Sequence, residues 1–250
     1  MLNEEALRRA LRSAGLGAPV RWDEATESTN ATAFAMAAAG TPEWTLVAAG
    51  HQTAGRGRQG RAWLDRPGSA LMCSLVLRPS LPPELVGLVS LAAGAAMAEA
   101  ASEVSGLEVR CKWPNDLMTD EAKVGGILGE AEVTAGRIGH VVLGIGVNLA
   151  APEDVEGAGA IGDVDEEAVL RGFLRRFRSL LEGPADEILR SWRAISATLG
   201  RRVEATTVGG DSVQGIAADL DETGALLIET DAGRRRVAFG EVHHLDVDQG

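Results

Sequence analysis

Lys123-Val124-Gly125-Gly126-Ile127-Leu128-Gly129-Glu130-Ala131-Glu132-Val133-Thr134-Ala135-Gly136-Arg137-Ile138-Gly139-His140-Val141-Val142-Leu143-Gly144-Ile145-Gly146-Val147-Asn148-Leu149 is the stretch that decides the fold class. Two apolar runs, 124–133 and 138–149, flank a turn-like Thr-Ala-Gly at 134–136, the pattern of two paired strands. Working outward, 108–113 is a further strand, and 70–77 is apolar enough for a buried one. Pro82 and Pro83 open a long Ala/Leu helix that ends near Gly106. Upstream lie a strand at 45–49, an Ala-rich helix at 28–39 with a Ser/Thr/Asn start and Gly40 past its end, a short strand at 20–25, and a short N-terminal helix stopped by Gly15. Downstream, 150–163 is a loop rich in Gly, Ala and acids. Two helices follow, the first with Val169, Phe173, Phe177, Leu180 and Leu181 on one face, the second running from Pro184 to Gly200. From 201 onward, short alternating runs separated by Gly and Asp turns have the pattern of a β-barrel of about fifty residues. There is no internal repeat. Strands and helices mix without strict βαβ alternation, which favours an α+β sheet over a doubly wound fold. The expected division is 1–199 and 200–250.

The chain carries a net charge of −12 over 250 residues, which argues against a dedicated DNA- or RNA-binding surface. Its arginines are not evenly spread. Arg56, Arg58 and Arg61 follow one another with no acid before Asp65, a cationic segment that suits a small anion better than a polymer. Cys73 and Cys111 lie in separate apolar stretches without CxxC spacing, so buried free thiols are expected, not a metal site or a disulfide. The charged, amphipathic start is no signal peptide, and no apolar run reaches membrane-spanning length. A cytoplasmic protein with no membrane association is expected.

Gly55-Arg56-Gly57-Arg58-Gln59-Gly60-Arg61 alternates glycines, which let the backbone approach a ligand, with guanidinium forks that match phosphate or carboxylate oxygens. It lacks the Lys-Ser/Thr of a Walker A loop, and no helix signal follows it as a dinucleotide fingerprint requires. Taken alone, a solvated basic loop fits it as well. Lys112-Trp113-Pro114-Asn115-Asp116 ends a strand and turns. Lys123-Val124-Gly125-Gly126 places a Lys at a strand mouth with glycines that mark close approach by a ligand or backbone, and a bulge would look the same. Gly144-Ile145-Gly146-Val147-Asn148 leaves one strand face almost bare, which suits a pocket floor or close helix packing. Ser28-Thr29-Asn30 is first of all a helix N-cap, and Gln52 offers both a donor and an acceptor.

These five segments, in this order and with these gaps, resemble the signature segments of biotin protein ligases, from about residue 20 to the C-terminus. The resemblance implies an α+β catalytic domain with a mixed central sheet and helices on one side, like class II aminoacyl-tRNA synthetases, followed by a small SH3-like β-barrel. It implies that biotin and ATP, with Mg2+ carried on the phosphates and no protein metal ligands, form biotinyl-5′-AMP. The biotinyl group then passes to a lysine of a biotin carboxyl carrier domain of a carboxylase. By the same resemblance the catalytic residues are Arg58, Lys112, Asp116 and Lys123. Biotin would be met by Ser28, Thr29, Asn30, Gln52, Gly55, Arg56, Lys123, Gly125, Gly126, Ile127 and Gly144, with the valeryl chain against bare glycine. The nucleotide would be met by Arg56, Arg58, Arg61, Trp63, Lys112, Asn115 and Asn148. Larger relatives carry an N-terminal helix-turn-helix, for which the twenty or so residues before the first core strand leave no room, so no operator binding is expected. Members of the family often pair edge to edge through the central sheet, so a homodimer stays open. A lipoate or octanoyl ligase and a catalytically silent sensor are the competing readings.

Overall fold

The computed structural model describes residues 2–245 except positions 121, 154 and 208. The expected outer limits at 1 and 250, and position 154 of the acid-rich loop, fall outside the described residues. In chain order the elements are α1 (Glu4–Ser13), β1 (Val20–Asp23), α2 (Thr29–Ala38), β2 (Leu46–Ala49), β3 (Gly55–Arg56), β4 (Ala62–Trp63), β5 (Ala70–Leu77), α3 (Gly87–Ser105), β6 (Arg110–Lys112), β7 (Asp116–Thr119), β8 (Ala122–Thr134) and β9 (Arg137–Asn148). They continue with α4 (Glu166–Glu182), α5 (Ala185–Ala194), β10 (Arg202–Thr207), β11 (Ser212–Leu220), β12 (Leu226–Thr230), β13 (Gly233–Val237) and β14 (Gly240–His244).

The β8–β9 hairpin forms where the sequence places it. Its turn residues Ala135 and Gly136 have φ of 50° and 72°, the left-handed geometry that matches the twist of two tightly joined strands. The hairpin is the centre of a seven-stranded sheet ordered β1-β2-β5-β9-β8-β7-β6, in which only β1 and β2 run parallel. Leu71, Cys73, Leu75 and Leu77 of β5, with Leu143, Ile145 and Val147 of β9, pack in one buried cluster with α1, α3 and α4. Phe173 and Phe177 of α4 stack at 5.2 Å there, and Trp44 meets Phe177 edge-on.

The other face holds α2, whose Ala33 and Ala37 pack on Val47, Val76 and Val142. Contrary to the expectation of helices on one side, they lie on both faces of the sheet. The small side chains of α2 let a short helix sit close against the second face, and its N-terminus then points at the glycine-bearing end of β9. The second helix expected to reach Gly200 stops at Ala194. Cys111 donates its amide to Ile195 O at 2.9 Å and accepts from Ala197 at 2.7 Å, so residues 195–197 leave the helix to extend the sheet beside β6.

A five-stranded antiparallel sheet follows, ordered β13-β12-β11-β10-β14. Trp113 locks the two sheets together. It is 2% exposed, its backbone amide donates to Thr198 Oγ1 at 2.9 Å, and its indole Nε1 donates to Gly224 O at 3.1 Å. Contrary to expectation, one helical stretch, Pro83–Ser105, is long and apolar enough to cross a membrane. Two thirds of it is buried in the core, which accounts for its apolar character.

Cys73 and Cys111 are both free and buried, and burial pushes the Cys73 thiol up to about 12 and the Cys111 thiol upward as well. Only the thiolate reacts with disulfide reagents. Neither cysteine should therefore be modified by an aromatic disulfide reagent at pH 8 until denaturant unfolds the chain. Prompt labelling of the native protein would contradict this packing.

Candidate active site

At the N-terminal end of α2 a cavity of 290 Å³ opens over β9, β8, β7 and β6. Its walls include Ser28, Thr29, Asn30, Gln52, Arg56, Arg58, Arg61, Trp63, Lys112, Asn115, Asp116, Lys123, Gly126, Ile127 and Gly144. Residues from Ser28 to His243 thus meet in one place, and for those on the large sheet the register explains how. Ser74 pairs with Gly144, Gly126 with Gly146, Asp116 with Gly126, and Lys112 with Asp116, so each step across the sheet carries the cavity one strand further.

One end is neutral and hydrogen-bonding. Ser28 caps α2 through a long 3.5 Å contact with the Ala31 amide. Gln52 Oε1 accepts the Thr29 backbone N–H at 2.8 Å and lies 3.1 Å from the Thr29 hydroxyl. Asn30 is buried, and its carboxamide is spent inside the protein, on Ser74, Leu128 O and Glu130.

The other end is cationic. Lys123 Nζ pairs with Asp116 at 2.5 Å, Arg56 faces Glu130 at 3.7 Å, and Arg61 pairs with Glu241 of β14 at 2.5 Å. Among the described residues Arg58 has no carboxylate in contact: its Nη1 donates to Asn115 Oδ1 and to Gly240 O, both at 3.1 Å. Burial pulls its pKa below the usual arginine value and neighbouring Arg61 adds to that, while Asp116 and Glu241 oppose it. A guanidinium stays cationic at neutral pH under any such shift. Among the described residues Lys112 has no ion-pair partner.

The arginines are carried on a small hairpin. β3 pairs with β4, and the turn residues Gln59 and Gly60 have φ of 54° and 76°, so Arg58 and Arg61 flank a tight turn and reach β14 together. The base of this hairpin is fastened by Asp65, whose fully buried carboxylate takes His51 Nδ1 at 2.9 Å and the Gln52 amide at 3.3 Å. The acid-rich loop runs beside β8. Gly157 O accepts the Lys123 amide and Lys123 O accepts the Gly159 amide, both at 2.8 Å, which holds the Lys123 backbone on both sides.

Three expected residues do not line the cavity. The amide of Asn148 donates to Gly159 O at 2.9 Å and so anchors the acid-rich loop. Gly55 and Gly125 are required by their own chain, since an added Cβ would lie 2.6 Å from Trp63 O and from Gly146 O respectively. Gly144 is bare because Asn30 Oδ1 would stand 2.1 Å from its Cβ, and Gly146 because the Trp63 ring lies against it. Of the glycines expected to floor the cavity, Gly126, Gly144 and Gly146 line it, and Gly126 leaves the most room, with nothing nearer than 3.7 Å. Glu241, Val242 and His243 of the small sheet also line the cavity and were not anticipated. They sit in a short strand, Gly240–His244, with no Gly/Arg or Lys motif to mark them.

The model of the Biotin/lipoate A/B protein ligase family matches residues 22–148, and that of the Biotin protein ligase C terminal domain matches 198–245. The chain is 33% identical to the biotin–[acetyl-CoA-carboxylase] ligase of Mycobacterium tuberculosis over 98% of its own length and 96% of that protein. It is 30% identical to the bifunctional ligase/repressor BirA of Bacillus subtilis over 96% of its length and 78% of the relative. Among solved structures, the biotin protein ligase of Aquifex aeolicus in complex with biotin and ATP superposes with a TM-score of 0.76 at 28% identity, covering 90% of this chain and 97% of that one.

The Asn30–Gly144 contact is the tightest at the neutral end. Gly144→Ala should displace Asn30 and destabilise the chain by about 1–3 kcal/mol, as overpacking of a filled site does. Urea unfolding measures this, and an unchanged midpoint would show that Asn30 is not fixed there.

Proposed function

The chain belongs to the Biotin/lipoate A/B protein ligase family and within it to the biotin protein ligases, and on that premise we propose how its own residues carry out the reaction. The enzyme is an ATP-dependent biotin–protein ligase. The observation that carries the residue assignment is a single cavity with a neutral hydrogen-bonding end and a cationic end. The biotin ureido ring would meet Ser28, Thr29 and Gln52, and its valeryl chain would pass Gly126 towards Lys123.

A carboxylate oxygen of biotin bonds to the α-phosphorus of ATP, and the oxygen bridging to the β-phosphorus departs with pyrophosphate. Two anions must approach each other, so fixed cations stabilise the charge that builds in the transition state. Lys112 and Lys123 take the carboxyl–phosphate junction, and Arg56, Arg58 and Arg61 take the phosphates. Trp63 covers the adenylate, and Asn115 acts by holding Arg58. Asn148 supports the Lys123 loop. Mg2+ fits this cationic, carboxylate-poor site only through the ATP phosphates, where it supplies charge neutralisation of the leaving pyrophosphate. Among the described residues no group of three His, Cys, Asp or Glu gathers to hold it.

In the second step the acceptor lysine attacks the biotinyl carbonyl carbon, AMP leaves, and the amine gives up a proton. Asp116 is our candidate to assist that loss. A normal transfer rate from preformed adenylate in Asp116→Asn would remove it from the mechanism. The acceptor is a carrier domain of an acetyl- or pyruvate-carboxylase type enzyme. The Gly/Arg hairpin acts as a lid that keeps water from the mixed anhydride.

Within the described residues, we read the part up to 199 as a class II synthetase-like catalytic domain and the part from 200 as an SH3-like barrel, a reading supported by the five-strand antiparallel order and the bulge between Ala217 and Asp219. The stretch of β8 beyond the reach of β7 is the edge on which a homodimer would form. A cytoplasmic location completes the proposal.

Pyrophosphate exchange into ATP should depend on biotin and not on lipoate; exchange driven by lipoate would favour the lipoate branch of the family. Lys112→Ala should lower biotin transfer to a purified carrier domain by roughly 10²-fold, the usual loss of one transition-state donor, with biotin binding retained. Transfer at the normal rate would take Lys112 out of the chemistry. Trypsin should cut the hairpin at Arg56–Arg61 faster without ligand than with biotinyl-5′-AMP, and equal cutting would exclude a lid.

A further inference from the structure

We propose that Glu130 is a positioning residue that fixes, through Asn30 and Ser74, which atoms Thr29 presents to the ligand. The inference rests on the cavity being a biotin site and adds a device that sets its hydrogen-bond polarity.

Asn30 is 3% exposed, so the orientation of its amide is decided by its neighbours. Two of them are acceptors only. Leu128 O lies 3.4 Å and Glu130 Oε2 2.9 Å from Nδ2, so the nitrogen has to face that side. Asn30 Oδ1 is thereby turned towards Ser74, which must donate to it, at 2.6 Å. A hydroxyl carries one proton. Ser74 Oγ, 2.8 Å from Thr29 Oγ1, can then meet Thr29 only as an acceptor. Thr29 gives its one proton inward, to Ser74 Oγ or to Gln52 Oε1 at 3.1 Å, and keeps a lone pair for the cavity.

Beside it, the Thr29 backbone N–H occupies Gln52 Oε1 and leaves Gln52 Nε2 as a donor, whose protein contact is the weak acceptor Met72 Sδ at 3.3 Å. An acceptor next to a donor complements the N–H and C=O of a cyclic urea, and a dithiolane ring offers neither. The chain of constraints starts at the one charged group in it, Glu130. Its other oxygen faces Arg56 at 3.7 Å, but Arg56 is half exposed and such contacts contribute little.

Glu130→Gln keeps the shape and removes the constraint. A glutamine can present its own N–H to Asn30, so reversal of the Asn30 amide is opposed only by the longer 3.4 Å contact with Leu128 O. Ser74 would then receive a proton from Asn30 and donate to Thr29, using a lone pair the ligand needs.

The test is biotin titration of the full chain by calorimetry, with the KM for ATP measured alongside. Wild type should bind biotin, and Glu130→Gln should bind it roughly tenfold more weakly, the scale of one charge-assisted hydrogen bond, with the KM for ATP unchanged. Ser74→Ala, a small change that adds no bulk, should weaken biotin similarly and carries the test if Glu130→Gln does not fold. The double variant should be no worse than Ser74→Ala alone, because the effect of Glu130 passes through Ser74. Unchanged biotin affinity in Glu130→Gln or in Ser74→Ala overturns the relay, as do losses that add in the double variant or a parallel loss of ATP affinity. No biotin binding by the wild type would instead defeat the reading of the cavity, and the relay with it.

Discussion

Five cationic side chains, Arg56, Arg58, Arg61, Lys112 and Lys123, crowd one cavity of a chain whose net charge is −12. Like charges this close repel, and their separation in the fold is the constraint that the rest of the site serves. Three are balanced by a carboxylate from a different element: Asp116 on β7 for Lys123, Glu130 on β8 for Arg56, and Glu241 on β14 for Arg61. Arg58 meets only carbonyl oxygens and Lys112 has no such partner among the described residues. Arg58 and Lys112 are thus the two cations of the cavity without a carboxylate in contact among the described residues. An anion with oxygens to reach both supplies what the protein leaves out. This is the physical content of a site for a phosphoanhydride on an acidic protein.

The architecture follows from keeping those charges in place without burying them unpaired. The β8–β9 hairpin gives a rigid floor, and the acid-rich loop holds Lys123 by its backbone so that the side chain is left to act. Trp113, buried between the sheets, fixes β14 near the Gly/Arg hairpin, which lets Glu241 and Gly240 O receive the two arginines. The small sheet is therefore part of the charge balance of the cavity. Its loss would leave Arg61 without its carboxylate and Arg58 with one acceptor fewer.

Much of this was legible in the sequence because it is written in local patterns. The hairpin turn at Ala135–Gly136, the stop at Gly106 and the Gly/Arg segment depend on residues adjacent in the chain. So do the order and spacing of the five segments, and most of the residues they name do line one cavity. What escaped was decided by tertiary contact. The helix after Pro184 ends early because Cys111, far upstream, offers a sheet edge to residues 195–197. α2 lies on the opposite face because its alanines fit Val47, Val76 and Val142. Asp65, Ser74 and Glu241 carry no motif, and each matters only through a partner brought close by folding. The spacing of Gly144 and Gly146 suits a pocket floor or close helix packing, and the fold uses both: they line the cavity while Asn30 of α2 and Trp63 lie against them.

The central claim is that the cavity makes and retains an acyl-adenylate. Rapid-quench analysis of the chain with biotin and ATP labelled in the α-phosphate, with no acceptor protein present, tests it directly. The account predicts that labelled biotinyl-5′-AMP appears in an amount equal to the chain and stays bound, with free AMP rising only slowly. Absence of any labelled adenylate, or steady release of AMP with none retained, would contradict it.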